Sequence, residues 1–134
     1  MSMETVVRTN NNIAYNCHYH IVFCPKYRRK ILKPPIDVRL KEIITETIEK
    51  WNQELVELEV MPDHVHILVG CDPQFGIHKL VRLIKGTSAR MLRFEFPELK
   101  RKLPCLWTNS YYCGTTGGVT IEVIRKYVEN QKGN

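Results

Sequence analysis

The sequence contains no Cys-x-x-Cys pair, no apolar run approaching the ~20 residues that span a bilayer, and no internal repeat. The first absence speaks against a structural zinc site, the second against a membrane helix, and the third against a solenoid or array. The opening MSMETVVRTNNN is polar and lacks the apolar core of a secretory signal. The five cysteines, Cys17, Cys24, Cys71, Cys105 and Cys113, are odd in number and scattered through apolar stretches. The expected setting is therefore a reducing cytoplasm with no membrane partner, in which they serve as small buried hydrophobes. Acidic residues are also in short supply: 14 face 20 lysines and arginines, a net charge of +6 with a pI near 9.1. That balance favours a polyanionic partner, although a solvated basic surface accounts for the same excess.

What is present is the material of a folded domain. Apolar residues make up 43% and charged residues 25%, which excludes a disordered or fibrous chain. A chain of 134 residues buries one core and not two, so residues 1–134 are expected to form one domain with at most one catalytic site per chain.

Hydrophobic periodicity divides the chain. From Ile13 to Phe23, Tyr15, Cys17, Tyr19, Ile21 and Phe23 alternate with Asn16, His18, His20 and Val22, the pattern of a strand that Pro25 ends. After the basic run Lys26-Tyr27-Arg28-Arg29-Lys30, apolar residues recur with helical spacing from Ile36 to Trp51, predicting an amphipathic helix over 36–52. Residues 54–61 and His64 to Cys71 read as two strands joined by Pro62-Asp63, an antiparallel hairpin. Ile77, Leu80, Val81, Ile84, Ser88, Met91 and Leu92 mark a second long helix, with Arg82, Lys85 and Arg93 on a separate basic stripe. A short helical turn between Pro97 and Pro104, a strand over residues 105–113, the connector Thr115-Thr116-Gly117-Gly118 and a C-terminal helix over 119–131 complete the reading. The order β-α-β-β-α-β-α predicts an α+β fold: a ferredoxin-like or RRM-like antiparallel sheet covered by helices.

Two constellations bear on chemistry. His64 and His66 are two apart on a strand, so both imidazoles project from one face, as two metal ligands do and as two hydrogen-bonded sheet histidines also do. Tyr127 and Gln131 are four apart on the last helix and share a face. A helical tyrosine is usually packing; beside a metal site it is also a nucleophile, with the glutamine an oxygen ligand for a hard cation. Asp63 either orients a metal-bound histidine or caps the hairpin turn.

The opening HYHIVFCPKYRRK, the block EVMPDHVHILV, the segment KGTSAR, the stretch LWTNSYY and the terminal IRKYVENQ stand in an order that resembles the small single-tyrosine HUH transposases of the IS200/IS605 group. The resemblance implies that His64 and His66 bind a divalent cation, Mg²⁺ or Mn²⁺, with Gln131 as third ligand, and that Tyr127 is the nucleophile, carried on the C-terminal helix. It implies cleavage and rejoining of single-stranded DNA at insertion-sequence ends through a 5′-phosphotyrosine, and recognition of subterminal hairpins. It further implies a homodimer whose tyrosine helix completes the partner's metal site, with Gly117-Gly118 as hinge. His18 and His20 repeat the H-x-H spacing, but the family pattern places no metal there, and they read as sheet or DNA-facing residues. The residues expected to contact DNA are Arg28, Arg29, Arg82, Lys85, Ser88 and Arg90, the last three within or flanking KGTSAR. A non-catalytic single-strand nucleic-acid binding module and a domesticated or replication-type nickase are the alternatives.

Overall fold

The computed structural model describes residues 7–115 and 121–131, and its core is a four-stranded antiparallel sheet. The elements are β1 (Arg8–Thr9), β2 (Ala14–Tyr15), β3 (His18–Phe23), α1 (Ile36–Lys50), β4 (Glu54–Met61), β5 (His64–Gly70), α2 (Ile77–Glu95), α3 (Pro97–Lys102), β6 (Tyr112–Thr115) and α4 (Ile121–Asn130). Strand order is β4-β5-β3-β6, which is the expected ferredoxin-like arrangement, and β1 and β2 form a separate small ribbon.

Alternation along the central strands divides the molecule into two faces. Tyr19, Ile21 and Phe23 of β3 and Val65, Ile67 and Val69 of β5 face the main core, which α1 and α2 close with Leu40, Ile43, Ile44, Ile48, Leu80, Val81, Ile84 and Leu92. The opposite face carries His18, His20 and Val22 from β3 and His64, His66 and Leu68 from β5. There α4 covers only part of the sheet, packing Val128, Ile124 and Tyr127 on Val22, Cys24 and Tyr112. A sheet face left half open is where charged and metal-binding side chains can stay in contact with solvent.

Local signals fix the element ends. α1 stops where Asn52 takes the left-handed conformation, φ 58°. α2 starts after Gly76, whose φ of 94° is one that a side chain rarely tolerates. Pro97 begins α3 at a position where its missing N–H is no loss.

Two strand predictions need correction. The strand expected from Ile13 to Phe23 is broken between Tyr15 and His18, because its first part pairs in the small ribbon and only the second joins the main sheet. The strand expected over residues 105–113 begins only at Tyr112 and runs to Thr115. Before it, the chain is tied elsewhere: the Trp107 indole N–H donates to Ser88 Oγ (3.0 Å), and the Lys85 ammonium donates to the carbonyls of Thr108, Asn109 and Ser110 (2.8, 3.4 and 3.1 Å). Those carbonyls are occupied by a side chain, not by a neighbouring strand. The expected hinge Gly117-Gly118 lies outside the described residues.

Candidate functional site

The two-residue turn Pro62-Asp63 sets Met61 opposite His64 and Glu59 opposite His66, which places the histidine pair at the turn end of the open face. Each imidazole is held by a partner. His64 Nδ1–H donates to Asp63 Oδ1 (2.9 Å), which fixes the ring and leaves Nε2 for another partner. Asp63 thus orients His64 from within the turn, and its second oxygen lies 3.6 Å from Arg28 Nε. His66 lies across from Val22 on β3, one diagonal step from His20. The two rings stack, 5.1 Å between centroids and 9° between planes, with His20 Nδ1 and His66 Nε2 hydrogen-bonded at 2.8 Å. Burial holds both imidazoles below the usual histidine range, so they are neutral at neutral pH and His66 can act as a ligand without first losing a proton.

The second H-x-H does not act as a pair. His18 turns to Glu54 (3.3 Å) at the far end of the strand, while His20 belongs to His66. The coupling of His20 to the site was not readable from sequence. Alternation gave its face, but the register that brings β3 and β5 together is a long-range property.

Beside the histidines runs an open groove of about 690 Å³, walled on one side by Met61, His64 and His66 and on the other by Ile124, Arg125 and Val128 of α4. Tyr127 and Gln131 share a face of α4, as the spacing predicts, but it is not the face that borders this groove. Their side chains meet Ser110 instead: its Oγ lies 3.2 Å from the Tyr127 hydroxyl and donates to Gln131 Oε1 (3.1 Å). Tyr112 flanks the phenol ring at 5.9 Å. Burial pushes the Tyr127 hydroxyl above the ordinary tyrosine range, so the group is a neutral phenol here.

Arg28 links the two halves of the site. Besides its approach to Asp63, it donates from Nη1 to the Val128 carbonyl of α4 (3.2 Å). It reaches both through a strained turn: Tyr27 and Arg28 have φ of 60° and 52°, left-handed values that cost roughly 1–2 kcal/mol per residue.

The donor chemistry suits a divalent cation that takes two imidazole nitrogens and fills its remaining positions with oxygen. Among the described residues, no group of three or more His, Cys, Asp or Glu side chains is arranged to hold a metal. Gln131 is turned to Ser110 and is not brought to the histidines in this conformation.

The residues expected at DNA are placed unequally. Arg29, Arg82 and Arg90 are exposed, Arg28 lines the groove, and Lys85 is half-buried with its ammonium on the three carbonyls described above. Ser88 must be corrected. It has no exposed surface, donates to the Ile84 carbonyl (2.7 Å) and accepts from Trp107, so it is a core hydroxyl and not a phosphate contact.

Residues 13–131 match the family described as "Transposase IS200 like". The chain belongs to the IS200-like transposase family. The resemblance to the IS200/IS605 single-tyrosine group is thereby shown, and with it the broad activity of a transposase acting on DNA. The ISDra2 transposase TnpA of Deinococcus radiodurans is 36% identical over 127 residues, covering 93% of this chain and 91% of that one. The transposase for insertion sequence element IS200 of Salmonella typhimurium is 34% identical over 119 residues, covering 87% and 78%. The crystal structure of a Deinococcus radiodurans protein assigned as a transposase superposes with a TM-score of 0.86 at 37% identity, covering 95% of this chain and 99% of that one. A REP-associated tyrosine transposase bound to a REP hairpin shares the fold, with a TM-score of 0.57 at 14% identity over 91% of this chain and 68% of that one. No helix among the described residues is long and apolar enough to cross a membrane.

Proposed function

We propose that this transposase cuts and rejoins single-stranded DNA at insertion-sequence ends by attack of the Tyr127 hydroxyl on a backbone phosphate. The observation that carries the reading is the histidine groove itself: two oriented imidazoles on an open sheet face, walled by the helix that bears the tyrosine. Tyr127 Oη forms a bond to phosphorus as the bond to the 3′ oxygen breaks. The phenol proton is balanced by the proton gained on the departing 3′-hydroxyl, and the 5′ phosphate remains on the tyrosine. Attack by a 3′-hydroxyl on another strand reverses the step, so joining needs no nucleotide cofactor.

His64 and His66 are the residues that would hold Mg²⁺ or Mn²⁺, with Gln131 as third ligand once released from Ser110. When bound, the cation supplies positive charge against the phosphate oxygens. Asp63 orients His64, His20 orients His66, and Arg28, ion-paired beside the groove, is placed to meet a phosphate. The exposed Arg29, Arg82 and Arg90 offer further phosphate contacts for a folded hairpin. Because Tyr127 faces away from the histidines of its own chain, the reading includes a homodimer in which α4 of one subunit serves the histidines of the other.

The test uses single-stranded DNA carrying the element end, with Mg²⁺ or Mn²⁺. A denaturant-resistant adduct is expected on the fragment bearing the 5′ phosphate, mapping to Tyr127 and absent with Tyr127→Phe. His64→Ala and His66→Ala are expected to lose the adduct while still binding the hairpin, since affinity comes mainly from backbone charge. An adduct that persists in Tyr127→Phe, or cleavage that leaves two free ends, overturns the mechanism.

A further inference from the structure

Ser110 stands where no part of the proposed reaction uses it. Its backbone is fixed: Lys85 donates to its carbonyl and to those of the two residues before it, and Thr108 bonds back to Cys24 and Pro25. Its side chain then reaches both functional groups of α4, 3.2 Å from the Tyr127 hydroxyl and 3.1 Å from Gln131 Oε1. A serine has one proton. With that proton donated to Gln131, the Tyr127 hydroxyl must be the donor to Ser110, so one hydroxyl engages the nucleophile's proton and the amide's acceptor oxygen together.

These are the two atoms that the proposed reaction needs free. The Tyr127 oxygen has to meet phosphorus, and Gln131 Oε1 has to face a cation beside His64 and His66. Both are turned from the groove, which α4 borders with Ile124, Arg125 and Val128. The apolar contacts of α4 with Val22 and Cys24 would hold the helix whatever the state of its polar residues, whereas the Ser110 bonds act only on Tyr127 and Gln131.

We propose that Ser110 is a positioning residue that parks Tyr127 and Gln131 as a pair, so that breaking this tie is a required step before the strand is cut. The inference rests on the assignment of Tyr127 as nucleophile. Removing the hydroxyl raises the population of released α4 residues by the worth of the lost hydrogen bonds, about five- to tenfold. Ser110 is exposed, so its truncation leaves the core intact.

Two readouts on Ser110→Ala and Ser110→Thr test it. In the absence of metal and DNA, O-acetylation by N-acetylimidazole is followed by peptide mass. Tyr127 is expected to be modified about fivefold faster in Ser110→Ala, with the distant Tyr15 and Tyr27 unchanged and Ser110→Thr close to the parent. With saturating single-stranded element-end DNA and Mn²⁺, the single-turnover rate of the Tyr127 adduct is expected to rise about five- to tenfold in Ser110→Ala and to return in Ser110→Thr. A slower adduct in Ser110→Ala assigns Ser110 to the productive geometry and overturns the proposal. So does a change in either readout without the other, or in neither. If the parent protein forms no adduct on Tyr127, the functional reading fails by itself, and the metal-free acetylation still decides whether the tie exists.

Discussion

His20 and His66 show how much a residue's chemistry depends on what burial does to it. Both are neutral because leaving water disfavours the imidazolium, and nearby Glu57 and Glu59 only partly offset that. The unfolded chain therefore binds protons near the ordinary histidine pKa of ~6.5 that the folded chain does not. The sign follows: a depressed histidine contributes no penalty above that value, and stability falls as pH drops through it toward the folded pKa. In chelator-containing buffer, the urea midpoint is expected to be level above about pH 6.5 and to decline as the pH falls below it, before carboxylates with pKa near ~4 titrate. His20→Gln should flatten that decline. A midpoint that does not change across this range in the parent protein would show that the pair is not held neutral.

At the scale of elements, the segment between α3 and β6 owes its shape to α2. Trp107 packs edge-on to Phe23, 4.7 Å between centroids and 86° between planes, with its N–H on Ser88. Ser88→Ala leaves that buried indole donor without an acceptor, a loss of about 1–3 kcal/mol, readable as a lower urea midpoint at constant slope. Hairpin affinity measured well below the unfolding midpoint is expected to be unchanged. An equal loss of affinity at full folding would restore Ser88 as a DNA contact. Residues 105–111 pair with the chain only at the isolated Pro25–Trp107 bridge, because beyond it Lys85 of α2 takes the carbonyls of residues 108–110 that a longer strand would need; periodicity describes which side chains are buried, not whether a ladder continues.

For the whole molecule, the separation of Tyr127 from the histidines is the decisive feature. If sites are assembled between subunits, a one-to-one mixture of His64→Ala and Tyr127→Phe forms heterodimers with one intact composite site each, and should recover about a quarter of the parent adduct yield. Each variant alone should give none. No recovery in a demonstrated heterodimer would place both halves of the site in one chain, reached by movement of α4 across its own sheet.

The sequence by itself determined the hairpin of β4 and β5, the two long helices and the tyrosine helix, because each is written in a local period of apolar residues, whereas the extents of β3 and β6 were not. It also determined that His64 and His66 share a face, and that Tyr127 and Gln131 do, since those are consequences of strand and helix geometry over two and four residues. Only the tertiary structure decided what those faces meet. The register of β3 against β5 gives His66 the partner His20; a left-handed turn aims Arg28 at both Asp63 and α4; and the path of residues 108–110 brings Ser110 to Tyr127. Each is a contact between residues distant in the chain, fixed by how the core closes, and no local period encodes it.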